Sequence, residues 1–164
     1  MKTLYIVRHA KSSWKDPGLE DHQRPLNKRG RRDVPVMGSR LKARAVRPDL
    51  IVTSDARRAL DTAIPIAEML GLERSVIRRD AGLYHASDAW ILERVKALDD
   101  GWQQVMIVGH NPGLNEFVNR FLASPIPNLP TVGIVELGFK IDAWQAIDQK
   151  RLVHSIFDFP KNVP

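Results

Sequence analysis

Short apolar runs separated by longer amphipathic stretches set the pattern of this chain. Leu4-Tyr5-Ile6-Val7 is apolar over strand length, and Leu50-Ile51-Val52 and Val105-Met106-Ile107-Val108 repeat it. Such runs are expected of parallel strands buried on both faces. The intervening pattern predicts helices. One begins at Asn27 and runs towards Ala43, a second covers about Ala56 to Leu70 and stops at Gly71, and a third covers Asp88 to Leu98 behind a Ser87 cap. Pro35 falls inside the first of these and is expected to kink it or move its start. A fourth helix is expected after Asn111-Pro112, with proline at the first helical position and Leu114, Phe117, Val118 and Phe121 on its apolar face.

Val76-Ile77-Arg78 reads as a short edge strand. After a loop punctuated by Pro125, Pro127 and Pro130, two further strands are expected at Val132 to Phe139 and about Arg151 to Phe157. Strand and helix alternate early and a hairpin-like region closes the chain. The pattern therefore predicts an α/β fold, a three-layer αβα sandwich around a mixed, mostly parallel central sheet. Lys11 to Leu26, polar and holding Pro17, Gly18 and Pro25, reads as a surface loop bordering the substrate. No internal repeat or low-complexity tract interrupts residues 1–164, read as a single domain with about 158–164 as a C-terminal tail.

Open parallel sheets bind ligands at the carboxyl ends of their strands. Here the first strand ends on Arg8-His9, the second runs through Thr53-Ser54 into Asp55-Ala56-Arg57, and the third runs into Gly109-His110-Asn111-Pro112. Two arginines and two histidines thus stand at three strand ends. Arginine offers a permanently charged fork of donors suited to phosphate, and a neutral imidazole carries a nitrogen that can attack phosphorus near pH 7. Asp55 or Ser54 is the expected N-cap of the second helix, which places Arg57 in its first turn. That helix and the one after Pro112 would direct their positive ends to one place. Arg58 is expected to be turned away into solvent.

These residues resemble the histidine phosphatase superfamily, the phosphoglycerate-mutase-like enzymes, over nearly the whole chain. The short length, Arg24-Pro25-Leu26-Asn27 ahead of a helix and Val108-Gly109-His110-Asn111-Pro112 are similar to the small bacterial phosphohistidine phosphatases of the SixA type. The resemblance implies a phosphoglycerate-mutase-like fold and a metal-independent phosphatase without cofactor. His9 would be the nucleophile, with Arg8, Arg57 and His110 holding the phosphoryl group and Arg24 near the pocket entrance. Two departures stand out. The family's Arg-His-Gly triplet is Arg8-His9-Ala10 here, and His85 in Gly82-Leu83-Tyr84-His85-Ala86 stands where mutases and many phosphomonoesterases place a glutamate acid. Without that acid the expected substrate is a phosphohistidine on a partner protein, whose leaving imidazole can be protonated. A small-molecule phosphomonoesterase, a mutase-type enzyme and a non-catalytic phosphate-recognition module are the alternatives. His85 is read as a substrate contact or acid or else as a simple loop residue, and the general acid stays unassigned.

Composition adds bounds. With 164 residues, 43% hydrophobic and 27% charged, the chain is of ordinary globular make-up. It has no cysteine, which removes disulfides and thiolate metal sites, and no visible signal peptide or membrane span, so a cytoplasmic location is expected. A zinc site at His9 and His110 is disfavoured by the flanking arginines, whose charge opposes a cation. The net charge of +6 and the Lys28-Arg29-Gly30-Arg31-Arg32 cluster raise nucleic-acid binding, but the cluster lacks interleaved aromatics and reads as a solvated helix face. The same charge could steer an acidic phosphorylated protein to the pocket. His22 and His154 are expected at the surface. Asp16, Glu20 and Asp21 read as solubilising loop carboxylates or as sources of a proton.

Overall fold

Side chains alternate across a strand, so a fully apolar strand feeds two cores at once. In the computed structural model, which describes residues 1–162, this is how β1 (Lys2–Arg8) is used. Leu4 and Ile6 join one apolar cluster while Tyr5 and Val7 join the other. β2 (Leu50–Thr53) and β4 (Gln104–Gly109) repeat the arrangement, with Leu50, Val105 and Ile107 on the first side and Ile51, Met106 and Val108 on the second. The helices divide accordingly. α1 (Lys28–Ala43) and α2 (Arg57–Met69) cover one face, and α3 (Asp88–Lys96) and α4 (Gly113–Asn119) cover the other.

The six-stranded sheet has the order β3-β2-β4-β1-β5-β6, with β3 at Ile77–Arg79, β5 at Ile134–Phe139 and β6 at Leu152–Asp158. β1 to β4 pair in parallel, and β5 and β6 pair antiparallel. This is the mixed αβα sandwich expected from the sequence. Neither internal proline ends its helix: α1 runs through Pro35 and α2 through Pro65. The packed faces explain this, since Val34, Met37 and Leu41 of α1 and Ala59, Ala63 and Ile66 of α2 are all at most 2% exposed. Burial of that size outweighs a proline cost of about 3 kcal/mol.

Local signals fix the helix ends. Asn27 caps α1 by accepting from the Gly30 N–H at 2.8 Å, and Ser87 caps α3 by accepting from the Trp90 N–H at 3.1 Å. Gly71 has φ +71° after α2, where Leu72 N–H reaches the Ala67 carbonyl at 2.9 Å, the left-handed stop that glycine allows. α4 differs from expectation by one residue, with Pro112 outside the helix and Gly113 inside it. After β6, Arg40 donates to the carbonyls of Phe159 and Pro160 at 2.9 and 3.1 Å. Residues 163–164 of the expected tail lie outside the described residues. Among the described residues, no helix is long and apolar enough to cross a membrane.

Candidate active site

Strand register brings the chemistry together. β1 sets Arg8 opposite Gly109, and the next backbone N–H, that of His9, donates to the Gly109 carbonyl at 3.0 Å. β2 sets Thr53 opposite Val108, and the Ser54 N–H donates to the Val108 carbonyl at 2.9 Å. His9, Ser54 and His110 therefore leave the sheet side by side. The two imidazole centroids are 5.0 Å apart, and His110 Nε2 lies 2.8 Å from Ser54 Oγ. Both rings are 8% exposed.

The tautomer of His9 follows from its partner. Its Nδ1 lies 2.7 Å from the Ala10 carbonyl, which can only accept, so Nδ1 carries the proton and Nε2 keeps its lone pair. Burial, together with the charges of Arg58, Arg8 and Arg24, lowers the His9 pKa to about 4. Burial and then His9 and Arg58 lower His110 to about 3. Both rings are neutral at neutral pH. Arg8 is anchored through Nη1 to the Leu129 carbonyl at 3.0 Å. Ala10, in place of the family's glycine, keeps an ordinary negative φ, and its N–H donates to Thr62 Oγ1 at 2.9 Å. Val132 has φ +52°, a strained value for a β-branched residue, and its N–H donates to the Arg8 carbonyl at 3.0 Å.

The two arginines of α2 are exchanged relative to expectation. Arg57 is not brought to the imidazoles: its side chain is 55% exposed and pairs with Asp61 one turn on, at 3.6 Å. Arg58 is 5% exposed and is the charged group nearest in effect to His9. Helical geometry gives the reason. The buried stripe of α2 runs through Arg58, Ala59, Thr62, Ala63, Ile66 and Ala67, whereas Arg57 shares the outer stripe with Asp61 and Glu68. The cap also differs, because Ala56 occupies that position and Ser54 Oγ accepts the Ala56 N–H at 3.2 Å.

The rest of the site is built from loops and the first turn of α2, and Asp21 joins them. Its carboxylate accepts from Arg24 Nε at 3.0 Å, from Arg58 Nη2 at 3.0 Å and from the Tyr84 hydroxyl, and its backbone carbonyl accepts from Arg58 Nη1 at 2.7 Å. The Tyr84 hydrogen bond and the two guanidiniums hold this carboxyl well below the usual carboxylate range. Arg24 is 7% exposed and also donates to Ser12 Oγ at 2.6 Å and to the Ser13 carbonyl at 3.3 Å. His85 has φ +64°, stacks on Tyr84 at 3.9 Å between centroids, and is close enough to His110 to lower its pKa. His22 is not a free surface residue. Its Nε2 lies 2.8 Å from Asp55 Oδ1, and its ring meets the edge of Tyr84.

The model of the histidine phosphatase superfamily (branch 1) matches residues 4–83, which include Arg8, His9 and Arg58. A crystal structure of SixA from Agrobacterium tumefaciens, 28% identical, superposes with a TM-score of 0.78 over 94% of this chain and 97% of that one. The chain belongs to the histidine phosphatase superfamily. An uncharacterised Picosynechococcus protein is 32% identical over 82% of this chain and 83% of its own length. A chloroplastic Arabidopsis thaliana protein is 31% identical over 76% of this chain, but the match spans only 61% of that relative.

In this histidine phosphatase superfamily member, the structure thus brings Arg8, His9, His110, Arg24 and His85 into one neighbourhood and leaves Arg57 apart from them. Sequence reasoning placed Arg58 in solvent, read Asp21 as a solubilising carboxylate or proton source rather than the anchor of two arginines, and missed both Tyr84 and the pairing of Ser54 with His110. The Arg58 signal was present as the spacing Arg58-Thr62-Ile66, set against the charged spacing Arg57-Asp61. Nothing local marked Asp21, whose partners lie up to 63 residues away. His154 is partly exposed, and its Nε2 lies 3.0 Å from Glu136 Oε2, away from the pocket. Among the described residues, no group of three or more His, Asp or Glu side chains could hold a metal ion.

Proposed function

We propose that the chain is a metal- and cofactor-independent phosphatase that works through a covalent phosphohistidine on His9, in the cytoplasm and with residues 1–164 as one domain. One observation carries the reading. Arg8, Arg58 and His110 neighbour a neutral His9 whose Nε2 is bare, and Arg8 Nε, Arg58 Nε and His110 Nδ1 are buried polar atoms without a partner among the described residues. Buried donors are seldom left unused, and a tetrahedral oxyanion would satisfy all three.

In the first step the His9 Nε2 lone pair forms a bond to phosphorus as the bond to the leaving group breaks. The leaving group departs with that electron pair and takes up a proton. In the second step water attacks phosphorus, the Nε2–P bond breaks, and phosphate leaves. The growing positive charge on the ring strengthens the Nδ1–H bond to the Ala10 carbonyl, while Arg8, Arg58 and His110 offset charge on the phosphoryl oxygens. Ser54 suits this role for His110. Its oxygen accepts from Ala56 N–H, so its own proton can go to His110 Nε2, leaving the His110 proton on Nδ1 towards the anion.

The substrate follows from what the pocket lacks. Asp21 is held ionised and so cannot serve as an acid, and His85 stands in place of a glutamate. A leaving group that can accept its own proton from solvent is favoured, which is the case for the imidazole of a phosphohistidine. The Agrobacterium neighbour, assigned by name alone to the phosphohistidine phosphatases, points to the same choice. Arg24 and His85 would line the approach of the substrate. Retention of two imidazoles favours turnover over simple recognition, which the arginines alone would provide.

The test is a substrate panel of phosphohistidine protein, phosphotyrosine and sugar phosphates with wild type and His9→Ala. Preferred, vanadate-sensitive hydrolysis of phosphohistidine, lost in the variant, is the expected outcome. Undiminished turnover by His9→Ala would refute the mechanism, and a preference for sugar phosphates would replace the substrate.

A further inference from the structure

A pocket for one phosphoryl group does not require what surrounds its mouth. Trp14, on the loop between β1 and α1, is 73% exposed, more than any other large apolar side chain among the described residues. It is nevertheless held in place, because the Arg24 guanidinium lies 3.5 Å from its ring centroid and leaves the other face open. An indole fixed in advance loses little freedom on binding, and tryptophan is among the residues enriched as anchors of protein interfaces.

Ser13 and Lys15, the chain neighbours of Trp14, line a groove of about 290 Å³, floored by Pro25 and Leu26 and walled by Lys15, Lys28, Arg29 and Arg31. Four cations and no carboxylate line it. The groove is tied to the nucleophile by the backbone. Ser13 N–H donates to the Pro25 carbonyl at 2.8 Å and Asn27 N–H to the Lys11 carbonyl at 3.0 Å, so its floor is paired with the segment that leaves His9. Gly30 permits this closeness, since a Cβ there would fall onto the Lys11 carbonyl.

We propose that Trp14 and the groove of Lys15, Lys28, Arg29 and Arg31 dock an acidic face of the phosphorylated protein substrate while its phosphorylated side chain reaches His9. This rests on the proposed function and adds where the partner lies and what its surface carries. The charge pattern sets the partner's sign, and the ring beside the pocket sets its size beyond that of a small phosphoester. A nucleic acid would find only a short basic groove with a single aromatic ring.

The experiment compares two substrates with the same leaving group: 1-phosphoimidazole, and an acidic protein phosphorylated on histidine. The double variant Lys15→Glu/Lys28→Glu is expected to raise KM for the protein roughly tenfold or more, while kcat/KM for 1-phosphoimidazole stays within about twofold. Trp14→Ala is expected to raise KM for the protein alone, with partial rescue by Trp14→Phe. Added salt should weaken only the protein reaction of wild type. Equal effects on both substrates, or none on the protein, would overturn the docking surface while leaving the phosphatase reading intact. Wild type that hydrolyses 1-phosphoimidazole but no phosphohistidine protein would overturn both. Loss of duplex DNA retention in the double variant with unchanged protein kinetics would also overturn the proposal.

Discussion

The two walls of the pocket are held in different ways. On the strand side, Arg8, His9, Ser54 and His110 are positioned by sheet register, through backbone bonds such as His9 N–H to Gly109 and Ser54 N–H to Val108. On the loop side, Arg24, Arg58 and Tyr84 converge on the one carboxylate of Asp21. The first wall is redundant: no single side chain maintains it. The second depends on one residue, so the same kind of substitution should have unequal consequences across the pocket.

The contrast is greatest between adjacent arginines. Arg58→Ala is expected to lower kcat/KM roughly 10²- to 10³-fold, as loss of one preorganised donor does. Arg57→Ala, which removes only an exposed pair with Asp61, is expected to change it by less than about threefold. Steady-state kinetics on both variants decides which arginine serves the pocket, and the reverse order would return Arg57 to the site.

Asp21→Asn is expected to cost roughly 10- to 100-fold, mainly in kcat, because both guanidiniums lose their shared anchor while Arg8 and the imidazoles stay in place. Thermal unfolding should shift little, since the carboxylate is 43% exposed. A variant with normal kcat would show that the loop wall needs no such anchor.

The pH response probes the strand side. With His9 and His110 lowered to about 4 and about 3, kcat/KM should stay flat on acidification until it falls near pH 4. Unfolded histidines take up protons near 6.5, so the unfolded state binds more protons from there down to about 4, and stability should fall with pH across that window. Imidazole NMR titration checks both rings, and an inflection near 6.5 for either would contradict their burial. Among the variants inside the site, Ser54→Ala should have the smallest effect, roughly a few-fold in kcat/KM, as expected for one buried hydrogen bond to His110. No change at all would mean that Ser54 does not orient the ring.

The unequal legibility of the two walls in the sequence has the same cause. Apolar runs ending on Arg8-His9 and Gly109-His110 are local, and parallel pairing carries them to one edge without further information. The wall around Asp21 is made by side chains from residues 21, 24 and 84 on loops and 58 on α2, and no periodicity links them. Arg58 lies between these cases. Its stripe with Thr62 and Ile66 was visible, but a polar residue on a buried stripe reads as solvent-facing until its partner is known. Pro35 is a third case: α1 starts at Lys28 and runs through it, because packing between α1 and α2 overrides a local preference.

The central claim is that phosphate becomes bonded to His9 Nε2. Mixing wild type with a phosphohistidine protein, quenching in alkali within one turnover and mapping the phosphorylated peptide tests it directly. Acid-labile, alkali-stable phosphate on the peptide containing His9, absent from His9→Ala, is the predicted result. Full hydrolysis with no phosphate ever found on that peptide would contradict the account.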